Sequence, residues 1–189
     1  VLDFDRTDGA PLIKLKKPSA TGEMTMRKPK RKARFERSIA MGRCTDIVDA
    51  APEEVLAWLY DYCSRDRMRI SREYGNPARL SLSDDGKQQM IASIKHVDWP
   101  LYNREFVTRM FWWKDTSGAY YLGVVSVGDV VDYGEFMKTV RGSTINVMKV
   151  EPFGEIEADG KQRQSRIEYT QILDAGGFLP EFLVNSLVP

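Results

Sequence analysis

The chain has 189 residues, 42% of them apolar and 29% charged, a size and balance suited to one globular domain with a tail. No apolar run approaches the roughly 20 residues that cross a bilayer as a helix, which excludes a transmembrane helix. The net charge of +1 divides unevenly: residues 1–37 hold 11 Lys/Arg against 5 Asp/Glu (+6), and residues 38–189 hold 17 against 22 (−5), a balance that argues against a nucleic-acid-binding core.

The first residues lack the basic start and apolar stretch of a secretory signal, and they lack an initiator Met, so a piece of a longer protein is expected. Residues 1–35 carry no sustained period, are punctuated by Pro11, Pro18 and Pro29, and read as a basic flexible linker ahead of a domain over 36–189. Within them, Arg27 to Arg34 is a dense basic run. It is a headgroup-attracting patch, a nuclear-import signal or a solvated linker, and its composition does not choose among the three.

A first strand is expected around 38–48. Pro52-Glu53-Glu54 then opens a helix, because Pro suits the first helical position and acids there complement the helix dipole. Val55, Trp58, Leu59 and Tyr62 follow at helical spacing and predict its apolar face. A second, more polar helix is expected over 64–74, closed by Gly75-Asn76-Pro77.

From Ala78 the period becomes two. Segments near 78–83 and 87–97 are joined by Asp84-Asp85-Gly86, segments near 104–114 and 119–128 by Asp115-Thr116-Ser117-Gly118, and segments near 140–152 and 162–174 across Asp159-Gly160. Turns this short make neighbouring strands antiparallel, since parallel neighbours need a long crossover. One connection, about 128–139, is long and apolar for a loop, with Val130, Val131, Tyr133, Phe136 and Met137. After Gly176-Gly177, a last amphipathic helix is expected, with Leu179, Phe182, Leu183 and Leu187 on one face. The order is that of an α+β chain whose long antiparallel sheet curls around an amphipathic helix.

Four stretches carry a resemblance to a known family. They are Asp49-Ala50-Ala51-Pro52-Glu53-Glu54-Val55 after the first strand, and Trp99-Pro100-Leu101-Tyr102-Asn103-Arg104-Glu105-Phe106-Val107 before a central strand. The others are Val140-Arg141 after the long loop, and Gly177-Phe178-Leu179-Pro180 with Asn185 at the end. Together, over about residues 36–189, they resemble the StAR-related lipid transfer (START) domains. There are departures: the family's tryptophan-aspartate is replaced by Arg67-Met68-Arg69, the signature acid is Glu105 rather than aspartate, and the last helix is short of the family's length at Pro189, as a truncated lid would be.

The resemblance implies a helix-grip fold, a curved antiparallel sheet wrapped around the C-terminal helix. It also implies a cavity binding one hydrophobic lipid, sterol, phospholipid or sphingolipid, for transfer or for sensing. Alternation along the central strand separates Arg104, Phe106, Thr108, Met110 and Trp112 from Glu105, Val107, Arg109, Phe111 and Trp113. The resemblance turns the first set inward and adds Ile91 and Arg141 to the cavity. Ile91 and Met110 occupy the places where some members hold a buried acid and base, so a greasier tunnel is expected there. For Arg104 and Arg141, a structural pairing with Glu105, Glu168 or Asp174 is as good a reading as headgroup binding. Tyr133, Phe136 and Met137 are the implied gate, and Leu179, Phe182 and Leu183 the implied lid. A small satellite core is the alternative for the gate residues.

No catalytic residue is assigned and no enzyme is expected: there is no G-x-S-x-G, no phosphate-binding loop, and one histidine, His96, with no marked partner. His96 reads as a surface-edge residue, and Trp99, Trp112 and Trp113 as core. Cys44 and Cys63 are not in a Cys-x-x-Cys pair; two thiols in a reducing compartment are expected, with one bridge as the alternative, and neither metal nor cofactor. The partners implied are a lipid, transient membrane contact, and other domains of a longer chain, with no nucleic acid. The location implied is cytoplasmic and peripheral at membranes. A helix-grip enzyme of the polyketide cyclase type and a regulatory or interaction module are the alternative functions.

Overall fold

A computed structural model describes residues 12–13, 23–27, 39–76, 78–128, 138–156, 160 and 162–177. Its backbone is one curved sheet of ten strands: β1 (Leu12–Ile13), β2 (Glu23–Arg27), β3 (Ile39–Val48), β4 (Ala78–Asp84), β5 (Gln88–Lys95), β6 (Arg104–Lys114), β7 (Tyr120–Ser126), β8 (Val140–Arg141), β9 (Ser143–Phe153) and β10 (Gln164–Asp174). Two helices, α1 (Pro52–Tyr60) and α2 (Arg65–Glu73), fall between β3 and β4. The order across the sheet is β1-β2-β3-β10-β9-β7-β6-β5-β4, with β8 beside β6. The expected meander is present, and the first strand of the domain closes it by pairing antiparallel with the last, from Val48 opposite Ser165 to Ile39 opposite Asp174. The two residues of β8 run parallel to β6, Arg104 opposite Val140 and Glu105 opposite Arg141.

The turns follow their chemistry. In the β6–β7 hairpin the Asp115 carboxylate accepts from the Ser117 and Ala119 amides and the Ser117 hydroxyl, while Gly118 takes a φ of 89°. In the β4–β5 hairpin, Asp84 accepts from the Gly86 amide and Asp85 from those of Lys87 and Gln88.

Helix α1 lies on the concave face over one end of the sheet, where Val55 and Leu56 join Tyr120, Leu122 and Val150 in the core. Its first turn is tied down on one side by the Tyr120 hydroxyl, which donates to Glu53 at 2.9 Å, and by Ser165 Oγ, which donates to the Ala50 carbonyl at 2.6 Å. Its last turn is tied to the β4–β5 hairpin by the Tyr60 hydroxyl, which donates to Asp84 at 2.8 Å.

Three expectations need correction. The linker assignment allowed no strand before residue 38, yet Glu23–Arg27 pairs with β3 from Thr45 to Met41. Glu-Met-Thr-Met-Arg alternates polar and apolar with period two, a signal masked by the prolines and charge around it. Arg27 ends β2, and residues 28–34 of the basic run lie outside the described residues. On α1, Leu56 rather than Trp58 is buried, and Trp58 is 57% exposed. The Arg67 guanidinium lies 4.3 Å over its ring and donates 2.7 Å hydrogen bonds to the carbonyls of Trp58 and Leu59, so this pair closes the helix end. Trp99 is not core but 92% exposed, beyond the end of β5.

Candidate functional site

The concave face continues past α1 into a hollow. Pleating places alternate residues of each strand on this face, and the ladder register aligns them: Ser93 with Phe106, Ile91 with Thr108, Met110 with Val124, Val124 with Asn146, and Asn146 with Gln171. Val55 and Leu56 of α1 share one core with Tyr120, Leu122 and Val150 and with Ile91, Met110 and Val124, and beyond that core the inward side chains bound a cavity of about 430 Å³. That volume lies within the range of small-molecule pockets.

The walls are apolar in the middle and polar toward one end. Ile91, Met110, Val124, Met148 and the ring of Tyr62 form the part nearest α1, with Phe106, Val97 and Leu173 beyond them. Ser93, Thr108, Thr144, Asn146 and Gln171 interrupt this surface. Gln171 Nε2 donates to Thr144 Oγ1 at 2.9 Å, and Thr144 Oγ1 donates to the Ile172 carbonyl at 3.0 Å, so these two satisfy each other within the wall. Asn146 Oδ1 is buried without a partner. Burial pushes the Tyr169 phenol well above its ordinary range, with Tyr62 adding to the shift, so it faces the cavity as a neutral group. Lys95, His96 and Arg104 also line the cavity, and Lys95 borders in addition a smaller hollow lined by Trp58 of α1 and by Arg67, Ile70, Ser71 and Tyr74.

Of the residues expected in the cavity, Ile91, Arg104, Phe106, Thr108 and Met110 are brought together along its wall. Two are not. Trp112 lies one step further along β6, in the packed core under α1, tilted against Tyr120 at 6.3 Å and donating from Nε1 to the Gly86 carbonyl. Arg141 is placed by the parallel pairing opposite Glu105, on the other face of β6, with Nη2 3.2 Å from Glu105 Oε1. Glu105 is 1% exposed and also accepts from Thr139 Oγ1 at 3.3 Å. Arg141 is therefore an architectural partner of the signature acid rather than a cavity residue. Tyr133, Phe136, Met137, Leu179, Phe182 and Leu183 lie outside the described residues.

Sequence reasoning missed the β9 and β10 walls, Thr144, Asn146, Met148, Tyr169, Gln171 and Leu173, although period-two alternation was there to assign them once the inward face of one residue was known. It also passed over Gln89, buried opposite Met110, whose amide nitrogen donates to the Tyr60 carbonyl and approaches Met110 Sδ at 3.6 Å. His96 is half-exposed at the rim, with Nε2 3.3 Å from Asp98 Oδ1. Cys44 and Cys63 are separate thiols, and burial raises the Cys44 pKa, with Asp46 adding to it.

No family model matches the chain and no curated protein matches it in sequence. Solved structures do match its fold. A STAR-related lipid transfer protein from Xanthomonas axonopodis superposes with a TM-score of 0.69 at 20% identity, over 96% of this chain and 90% of that one. Human StAR-related lipid transfer protein 5 gives 0.67 at 16% identity, over 98% and 81%. The lipid transfer and protein localization domain of human StarD13 gives 0.65 at 17%, over 95% and 81%. The chain has the helix-grip fold of these proteins.

Proposed function

We propose that residues 36–189 form a domain that binds one hydrophobic lipid in the cavity beneath the curved sheet, for transfer between membranes or for sensing, and that it performs no reaction. The observation that carries this reading is the division of the concave face. Val55 and Leu56 of α1 fill one end, and Ile91, Met110, Val124 and Met148, which continue the same core, turn the rest of their surface to a hollow of about 430 Å³. A folded chain ordinarily packs such a surface to near crystal density. Each buried methylene contributes about 0.8 kcal/mol, so a lipid tail in that hollow gains ample binding free energy. Supporting it, the three neighbours of like fold carry lipid transfer in their names. Among the described residues no helix is long and apolar enough to cross a bilayer, which suits a protein that meets membranes transiently.

Native mass spectrometry of the purified chain, followed by lipid extraction, tests the reading. The expected result is one co-purifying lipid class, lost in Met110→Arg while circular dichroism shows the fold retained, since Met110 is a buried part of the apolar wall. A chain that comes out empty and takes up none of a panel of sterols, phospholipids and ceramides removes the lipid-carrier function.

A further inference from the structure

The charged lining of the cavity has one sign. Among the described residues Lys95, His96 and Arg104 line it, and no Asp or Glu does. His96 is matched by Asp98 at the rim. Among the described residues the other two meet no carboxylate. Arg104 is 5% exposed, donates from Nη1 to the Tyr102 carbonyl, and holds its Nε buried with no hydrogen-bond partner. Its neighbour Glu105 points to the opposite face, engaged with Arg141. Lys95 sits directly across the β5–β6 ladder from Arg104, on the same face. Like charges at opposed positions of an antiparallel pair repel. A buried cation without an anion is among the costliest arrangements a fold can keep. Desolvation accordingly lowers the Arg104 pKa.

We infer that the ligand carries an acidic headgroup, a carboxylate or a phosphate, seated between Lys95 and Arg104 at the end of the cavity that this pair lines. This rests on the lipid-binding reading above and adds the charge class of the lipid. A guanidinium takes either oxyanion through two parallel hydrogen bonds, and an ammonium opposite supplies a second charge. From Arg104 to Met110 is six residues of β6, about 20 Å at 3.3 Å per residue. A single acyl chain anchored at Arg104 therefore runs past Phe106 and Thr108 onto the apolar wall of Ile91, Met110 and Val124.

The test is the affinity of the delipidated full chain for oleate, lysophosphatidate and oleyl alcohol, which share an acyl-type tail and differ in the head. Either acid is expected to bind about 10- to 100-fold more tightly than the alcohol, the span of a hydrogen bond to a charged group. The tighter of the two acids identifies the head as carboxylate or phosphate. Arg104→Gln and Lys95→Gln are each expected to reduce the acid-to-alcohol ratio by about 3- to 10-fold. If Arg104→Gln does not fold, Lys95→Gln, whose side chain is only half-buried, carries the comparison. Oleyl alcohol binding as well as or better than both acids overturns the inference and leaves the cavity reading standing, with Asn146 the better anchor for a hydroxyl. Failure of all three to bind, alongside an empty chain in the lipid panel, removes both.

Discussion

Arg104 and Arg141 share a residue type and a strand pairing, and the face of β6 separates their roles. Arg141, on β8, meets Glu105 at 3.2 Å; Arg104, one residue away on β6, meets no carboxylate among the described residues. The sequence left both arginines open between architecture and ligand because their partners depend on which residue lies opposite. Alternation along β6 sorted Arg104 from Glu105 correctly, but the two-residue parallel pairing that brings Arg141 to Glu105 has no local signature. The pair makes a direct prediction. Glu105→Gln is expected to cost about 3–4 kcal/mol in urea denaturation, at the lower part of the span for breaking a buried pair because Arg141 keeps some contact with water. Combining it with Arg141→Met should recover about 1–3 kcal/mol relative to the sum of the single variants. Strict additivity would mean that the two do not interact.

Elements were legible where a local chemical rule forces them. The aspartate-glycine turns, the proline-led first turn of α1 and the period-two segments all give the observed strands and helices within a few residues. Strand β2 was hidden inside a basic, proline-bearing stretch, and the β3–β10 closure joins segments more than a hundred residues apart, which no local pattern encodes. One member of the apolar stripe of α1 differs from the expected set: spacing alone admits Trp58 or Leu56, and the ring of Trp58 finds Arg67 instead of the sheet. Leu56→Ala is therefore expected to cost about 2–4 kcal/mol, as for other buried leucines, and Trp58→Ala about 1 kcal/mol or less, the value of an exposed cation–π contact. Equal losses in denaturant would contradict this assignment of the helix face.

The turns also set the response to acid. The Ser117 hydroxyl, then the Ala119 and Ser117 amides, hold the Asp115 carboxyl below the ordinary value of 3.8, and the amides of Gln88 and Lys87 do the same for Asp85. A folded-state pKa below the unfolded one means that the unfolded chain binds protons more readily. This contribution is complete at neutral pH and fades as pH falls from about 4 through the depressed values. Asp115→Ala should lower the denaturation midpoint at neutral pH and converge on wild type in acid. A difference that stays constant across the titration would assign the effect to lost packing rather than to charge.

At the scale of the whole molecule, the concave face is one continuous surface used in two ways. Val150 and Val124 are both buried, both inward, on adjacent strands and in the core that α1 joins, but Val124 also borders the hollow and Val150 does not. An interior packed to capacity resists added volume, and overpacking costs about 1–3 kcal/mol. A wall that waits for a ligand accepts it. Val150→Phe is thus expected to destabilise the delipidated chain by that amount, whereas Val124→Phe should leave it as stable as wild type or raise it by about 1 kcal/mol while abolishing lipid uptake, the opposition of stability and function seen where a site is kept unfilled for a purpose. The lipid should in turn stabilise wild type by about 2.7 kcal/mol at a hundredfold excess over its dissociation constant and leave Val124→Phe unchanged. Thermal unfolding of the three proteins with and without lipid decides it. If Val124→Phe loses as much stability as Val150→Phe, the hollow is closed in solution and the concave face is core throughout.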